Sequence, residues 1–109
     1  MNLIEQLAGY GECERLRKVP AASRFRIRGI EFTREELERA MLEHRRAHNI
    51  FEEGDYIIHD GELKVFAMWS NAIDGCAYIG YAYAEDGEMA HKDEFRHATD
   101  EEIEVEHRL

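Results

Sequence analysis

The sequence predicts an α+β fold: N-terminal helices and one Arg-rich strand, then a four-stranded antiparallel meander or small barrel, then a short C-terminal helix. Three observations carry this expectation. Apolar residues at helical spacing behind capping signals occupy the first half and recur after Thr99. Strand-type alternation takes over from Asp55. Three Asp-Gly pairs, Asp60-Gly61, Asp74-Gly75 and Asp86-Gly87, punctuate the second half, where glycine and, less readily, aspartate tolerate the positive φ of a tight turn.

Asn2 followed by Glu5 resembles a capping box, and Leu3, Ile4 and Leu7 give one apolar side of a short helix that ends at Gly9 or Gly11, or continues through Glu12 to Lys18 until Pro20 stops it. After the turn Ala21-Ala22-Ser23, the run Arg24-Phe25-Arg26-Ile27-Arg28 alternates strictly. One strand is predicted there, with Phe25 and Ile27 facing a core and three guanidiniums on its other side. Thr33 with Glu36 forms a second capping box, and Leu37, Ala40, Met41, His44 and His48 follow at spacings of three and four, predicting a helix from about Thr33 to His48. Arg45, Arg46 and His48 sit at its C-terminal end, where the macrodipole favours positive charge. Strands are expected at Tyr56 to His59, Leu63 to Trp69, Cys76 to Ala84 and within Met89 to His97. Thr99 and Glu102 make a third capping box, opening a short acidic helix to Leu109 that docks through Ile103 and Val105 or frays at its end.

A chain of 109 residues is the size of one domain, expected to span 1–109, mainly helical over 1–50, mainly β over 55–98 and an acidic helical tail over 99–109. Met1-Asn2-Leu3-Ile4-Glu5 has an acid where a signal peptide carries basic residues, and no apolar run approaches the roughly 20 residues that span a bilayer. A cytoplasmic protein with no membrane contact is expected. Cys13 and Cys76 form no CxxC or metal-type cluster, so they read as reduced, unpaired thiols.

Charge is the most informative bulk property. The 14 Lys+Arg and 24 Asp+Glu give a formal net of −10. Residues 1–50 hold ten basic and eight acidic side chains, net +2; residues 51–109 hold four and sixteen, net −12. Such a half repels duplexes and anionic membranes and attracts a basic protein.

His44 and His48 stand at i and i+4, a spacing that can supply two metal ligands, but Arg45 follows the first histidine where a zinc protease carries glutamate, so helix-end charge chemistry is preferred and no metal or cofactor is expected. Glu62-Leu63-Lys64, with Asp55 or Asp60 upstream, has the Asp…Glu-x-Lys form of a Mg²⁺-dependent nuclease, yet those acids flank a predicted hairpin tip. No other enzyme signature occurs, and the chain is expected not to be an enzyme. Arg24, Arg26 and Arg28, after Arg15, Arg17 and Lys18, make the one basic stripe; a nucleic-acid-binding module is the alternative they offer, set against an exposed face that resists aggregation. Trp69, Tyr78, Tyr81 and Tyr83 cluster late in the chain, with Tyr81 and Tyr83 on the face of Ile79. The carboxylates Asp55, Asp60, Glu62, Asp74, Glu85, Asp86, Glu88, Asp93 and Glu94, with Tyr81 and Tyr83 among them, are the candidate partner-binding residues. Their excess exceeds what solubility needs and suits a surface that imitates the phosphates of DNA.

Two stretches, His48-Asn49-Ile50-Phe51-Glu52-Glu53-Gly54-Asp55-Tyr56 and Phe95-Arg96-His97-Ala98-Thr99-Asp100-Glu101-Glu102-Ile103 with His107-Arg108-Leu109, resemble segments of small accessory proteins of tailed bacteriophages and prophages, whose endings carry glycine where Glu106 stands. The resemblance implies a phage-encoded accessory protein in the bacterial host cytoplasm, of the kind that inhibits a host defence complex, including CRISPR surveillance complexes with basic nucleic-acid channels. The combined expectation is a non-enzymatic inhibitor or modulator whose partner is a host protein with a basic nucleic-acid-binding surface. Direct nucleic-acid binding is disfavoured. A near-neutral half and an acidic half also leave room for a homodimer.

Overall fold

The computed structural model describes residues 2–20, 22–81 and 87–107. Helices and antiparallel sheets make an α+β protein whose chain divides after Ile50 into two compact units, residues 1–50 and 51–109. That boundary is also the charge boundary read from the sequence, net +2 before it and net −12 after it.

The first unit contains α1 (Leu3–Gln6), α2 (Tyr10–Arg17), β1 (Arg24–Ile27), β2 (Ile30–Thr33) and α3 (Arg34–His48). Asn2 caps α1 by accepting from the Glu5 N–H, as its sequence position suggests. The N-terminal helix does not run on as one, because Ala8 and Gly9 take φ of 69° and 108° and break it. The expected single Arg-rich strand is a two-stranded hairpin: β1 pairs antiparallel with β2 from Arg24 opposite Thr33 to Ile27 opposite Ile30. Arg28 and Gly29, with φ of 55° and 80°, form its two-residue turn, a conformation usually signalled by Asn-Gly or Asp-Gly and here carried by Arg-Gly. The reciprocal capping box of Thr33 and Glu36 starts α3 as predicted, and Asn49 in the left-handed region ends it. Leu37 and Met41 on α3 close a core with Ile4, Leu7, Cys13 and Phe32, against which Phe25 and Ile27 pack.

The second unit contains β3 (Tyr56–His59), β4 (Glu62–Trp69), β5 (Cys76–Gly80), β6 (Gly87–His91), a 3₁₀ turn (Lys92–Glu94), β7 (Phe95–His97) and α4 (Asp100–His107). The sheet has five strands in the order β6-β5-β4-β3-β7, all antiparallel, so β3 to β6 are the predicted meander and β7 is an addition to it. The expected last strand within Met89 to His97 is two strands on opposite edges. His91 separates them: its ring Nδ1 accepts from the Asp93 N–H while Glu94 accepts from the His91 N–H. Asp60 and Gly61, with φ of 54° and 75°, make the tight β3–β4 turn that the Asp-Gly pair predicts.

The route from β6 to β7 dictates the curvature of the sheet. Four residues from His91 to Phe95 reach at most about 14 Å, whereas the edges of a flat five-stranded sheet lie about 19 Å apart. The sheet must therefore curl until its edges approach. Among the described residues those edges form no ladder with each other, so the barrel stays open rather than closed. A register shift between Phe66 and Met68 marks an irregularity in β4, a feature that adds twist and bend. Inside the curl lie Phe51, Ile57, Phe66, Ala77, Ile79, Ala90 and Phe95. Phe51 meets Phe95 edge-on at 4.9 Å and stacks on the His97 ring at 4.3 Å, and Trp69 lies 5.2 Å from Phe66.

Candidate functional site

Strand pairing gathers one polar cluster at the end of the sheet that carries the β3–β4 turn. His59 lies opposite Glu62 and Ile57 opposite Lys64, while Ile79 lies opposite both Phe66 and Glu88. Because side chains alternate, His59, Glu62, Lys64, Glu88 and Tyr81, two residues beyond Ile79, share the face that carries the aromatic core. Lys64 is the centre. It is only 5% exposed, and its Nζ donates to Glu88 Oε1 at 2.5 Å and to His59 Nδ1 at 2.9 Å. An ammonium has no acceptor, so the neutral His59 ring receives this bond at Nδ1 and carries its proton on Nε2. The ammonium also lies 5.6 Å from the centre of the Tyr81 ring, whose hydroxyl donates to Glu62. His59 Nδ1 stands 3.3 Å from Glu88 Oε1 and 3.7 Å from Asp60 Oδ2. The hydrogen bond from Lys64, reinforced by the Lys64 charge, holds the Glu88 carboxyl below the usual carboxylate range against the opposing effect of desolvation. A depression of ≈ 170 Å³ opens beside Lys64, Gly80, Tyr81, Gly87 and Glu88.

The structure thus unites Asp60, Glu62, Glu88 and Tyr81 of the sequence-predicted partner-binding set. Asp74, Asp93 and Glu94 are exposed at the opposite end, where the Lys92 N–H donates to Gly75 O at 2.8 Å. Asp55 presents little carboxylate to solvent: it is 7% exposed and accepts from the Glu52 N–H, fixing the turn into β3. Tyr83, Glu85 and Asp86 lie outside the described residues. At the start of α4, Arg96 makes a two-pronged bridge to Glu102 at 2.7 and 2.8 Å, and Glu102 also caps Thr99; the Arg96 hydrogen bonds lower its carboxyl to about 2.

Arg24 and Arg26 are exposed on β1, Arg26 Nη1 3.8 Å from Glu31 Oε1, and Arg28 occupies the hairpin turn rather than the strand. Glu31 and Glu36 share the wall of the ≈ 370 Å³ cleft that Arg24 and Arg26 line. The rings of His44 and His48 lie 4.3 Å apart and tilted by 37°, with Tyr10 stacked on His44 at 5.1 Å. The Asp…Glu-x-Lys arrangement is not assembled as a metal centre: Lys64 is held by Glu88 and His59, Glu62 accepts from Tyr81, and no group of three or more His, Cys, Asp or Glu among the described residues is placed to hold an ion. Both cysteines are free, and burial pushes the Cys13 thiol up. No helix among the described residues is long and apolar enough to cross a membrane.

Sequence reasoning missed His59 and Lys64 as a buried pair. The available signal was parity, since Lys64 alternates with Phe66 and His59 with Ile57 on a face that must be apolar. It also missed the exposed row on the opposite face, where Met68, Tyr78 and Met89 are direct cross-strand neighbours. Comparison of the chain with protein-family models, with curated proteins and with solved structures finds no match.

Proposed function

We propose that the chain is a phage-type, non-enzymatic binding protein whose acidic unit, residues 51–109, docks onto the basic nucleic-acid-binding surface of a host defence protein and inhibits or modulates it. One observation carries this proposal: the charge boundary and the boundary between compact units coincide at Ile50/Phe51. The imbalance of four cations against sixteen acids is therefore a property of one folded body. Two of those cations are turned to internal use, Lys64 on Glu88 and Arg96 on Glu102. Asp60, Glu62, Asp74, Asp93 and Glu94 remain exposed. A field of one sign steers a basic partner and accelerates encounter in a salt-sensitive way. The phage origin rests on the two sequence stretches that resemble phage accessory proteins.

The test is affinity purification from a bacterial lysate at two salt concentrations, followed by association kinetics with the captured protein. An on-rate that falls at least tenfold from 20 to 200 mM salt (about, by the usual steepness of steered association), and falls again in the Asp60→Asn, Glu62→Gln, Asp93→Asn variant, supports docking through the acidic unit. An on-rate indifferent to both excludes it. The nucleic-acid-binding alternative uses Arg24 and Arg26, and a low-salt gel shift abolished by their replacement with alanine would move the function to the first unit.

A further inference from the structure

We infer that the outer edge of β6 is the docking line within the acidic unit, and that it receives an extended, basic segment of the partner protein as an added β-strand. This rests on the proposed acidic docking and specifies where and how it happens. Among the described residues β6 has a single strand neighbour, β5, so its other side is a sheet edge, whose N–H and C=O groups are a template for one more strand. Met68, Tyr78 and Met89 stand side by side across β4, β5 and β6 on the convex face, 51%, 42% and 39% exposed, and the row runs out to that edge. Soluble surfaces seldom align three large apolar side chains in register without a use for them. A strand added beside β6 would place its own side chain next to Met89 as the fourth member of the row.

Charge chooses the occupant. Next to Met89 in β6 is Glu88, half exposed, with both of its contacts, to Lys64 and His59, made through Oε1. Asp93 and Glu94 follow the strand, both exposed. A second copy of the chain would bring another net −10 and set acid against acid along this line. A segment that alternates apolar residues with Lys or Arg would set an apolar side chain across from Met89 and a basic one across from Glu88, satisfying both faces of the added strand at once.

The probe is a synthetic eight-residue peptide of alternating lysine and valine, titrated into the isotopically labelled full chain at low salt and followed by backbone amide shifts. Two control peptides are an alternating glutamate–valine peptide and the lysine–valine peptide N-methylated at alternate residues, which keeps charge and composition but removes ladder donors. The expected result is shifts centred on residues 87–91, 68 and 78, with affinity reduced at least tenfold by N-methylation, by the acidic sequence, and by Met89→Lys in the protein. Equal binding of the N-methylated peptide, with salt sensitivity retained, would leave acidic docking standing and overturn strand addition. Shifts centred on the β1–β2 hairpin or on α4 would also overturn it, as would a dimer in sedimentation that the Met89→Lys substitution dissolves.

Discussion

Arg34 offers the sharpest test of how the first unit is held together. It is the first residue of α3, where a positive charge faces the positive end of the helix dipole and costs about 0.5 kcal/mol. Its guanidinium more than offsets that cost. It donates through Nε to Ala22 O at 2.7 Å, through one terminal nitrogen to Arg17 O at 2.6 Å and through the other to Val19 O, and lies 5.5 Å from the centre of the Phe25 ring. Three carbonyls at and beyond the C-terminal end of α2, Arg17 being its last residue, are thus gathered by one planar fork. Hydrogen bonds to charged groups contribute about 1.5–3 kcal/mol each, and three that share one part-exposed guanidinium total far less than their sum. Removing all three, with relief of the dipole penalty, puts Arg34→Ala at about 2 kcal/mol. Arg34→Lys should cost about 1 kcal/mol, because an ammonium cannot present three donors in the fixed directions of a fork. Urea unfolding followed by circular dichroism at 222 nm reads chiefly this unit, since α2 and α3 are its helices. With a slope of about 1–3 kcal/mol/M, the alanine midpoint should fall by about 0.7–2 M. A lysine variant as stable as the parent, or an alanine loss below about 0.5 kcal/mol, would show that the three carbonyls do not depend on the fork.

Other outcomes follow from single observations. The Glu102 carboxyl is lowered to about 2 from its ordinary 4.5, so its contribution is fully present above pH 4.5 and is lost as pH falls through about 2; with solvent screening it is about 1 kcal/mol or less. The stability gap between the parent and Glu102→Gln should therefore be seen at pH 6 and vanish near pH 2. Arg28 holds a left-handed φ of 55° that glycine adopts without strain; Arg28→Gly should stabilise the hairpin by about 0.5–1 kcal/mol, raising the melting temperature, whereas Gly29→Ala at φ 80° should lower it. Ile57 is wholly buried among the aromatic rings of the sheet; Ile57→Ala should cost about 2–5 kcal/mol and shift the unfolding transition reported by the fluorescence of Trp69.

Much of the fold is legible because local signals and tertiary packing agree. The capping boxes at Thr33 and Thr99 fix where α3 and α4 begin, and the Asp60-Gly61 turn fixes the β3–β4 register. Misreadings occur where geometry had no compositional flag. Arg28-Gly29 turns a chain that alternation alone would leave extended, because an arginine accepted positive φ once strand pairing on both sides held it there. Met89 to His97 reads as one strand, since the 3₁₀ turn of Lys92–Glu94 depends on the His91 side chain and on long-range pairing of Phe95 with His59. The acidic site was legible as composition but not as geometry. Nothing in the order of residues shows that Asp55 would be buried as a turn cap while Asp60, Glu62 and Glu88 would meet around Lys64; that grouping is decided by register across four strands.

The segregation of charge on which the proposed docking rests must also strain the unit that carries it, and salt separates the two effects. Residues 51–109 hold net −12, and at 10 mM salt the screening length of about 30 Å spans the whole unit. At 150 mM it shrinks to about 8 Å, relieving repulsion among acids that are farther apart than that while sparing close pairs. Lys64–Glu88 is close and largely buried on the lysine side, so it loses little; Arg96–Glu102 is exposed and loses a fraction of about 1 kcal/mol. Relief across many like-charged pairs should outweigh that loss. Thermal melts followed by Trp69 fluorescence should therefore rise with salt over the range in which association with a basic partner slows. The opposite signs are the signature of a surface kept acidic for binding at a cost to its own stability. A melting temperature that falls with salt would mean that the acids are locally compensated within the fold, leaving no uncompensated field to steer a partner.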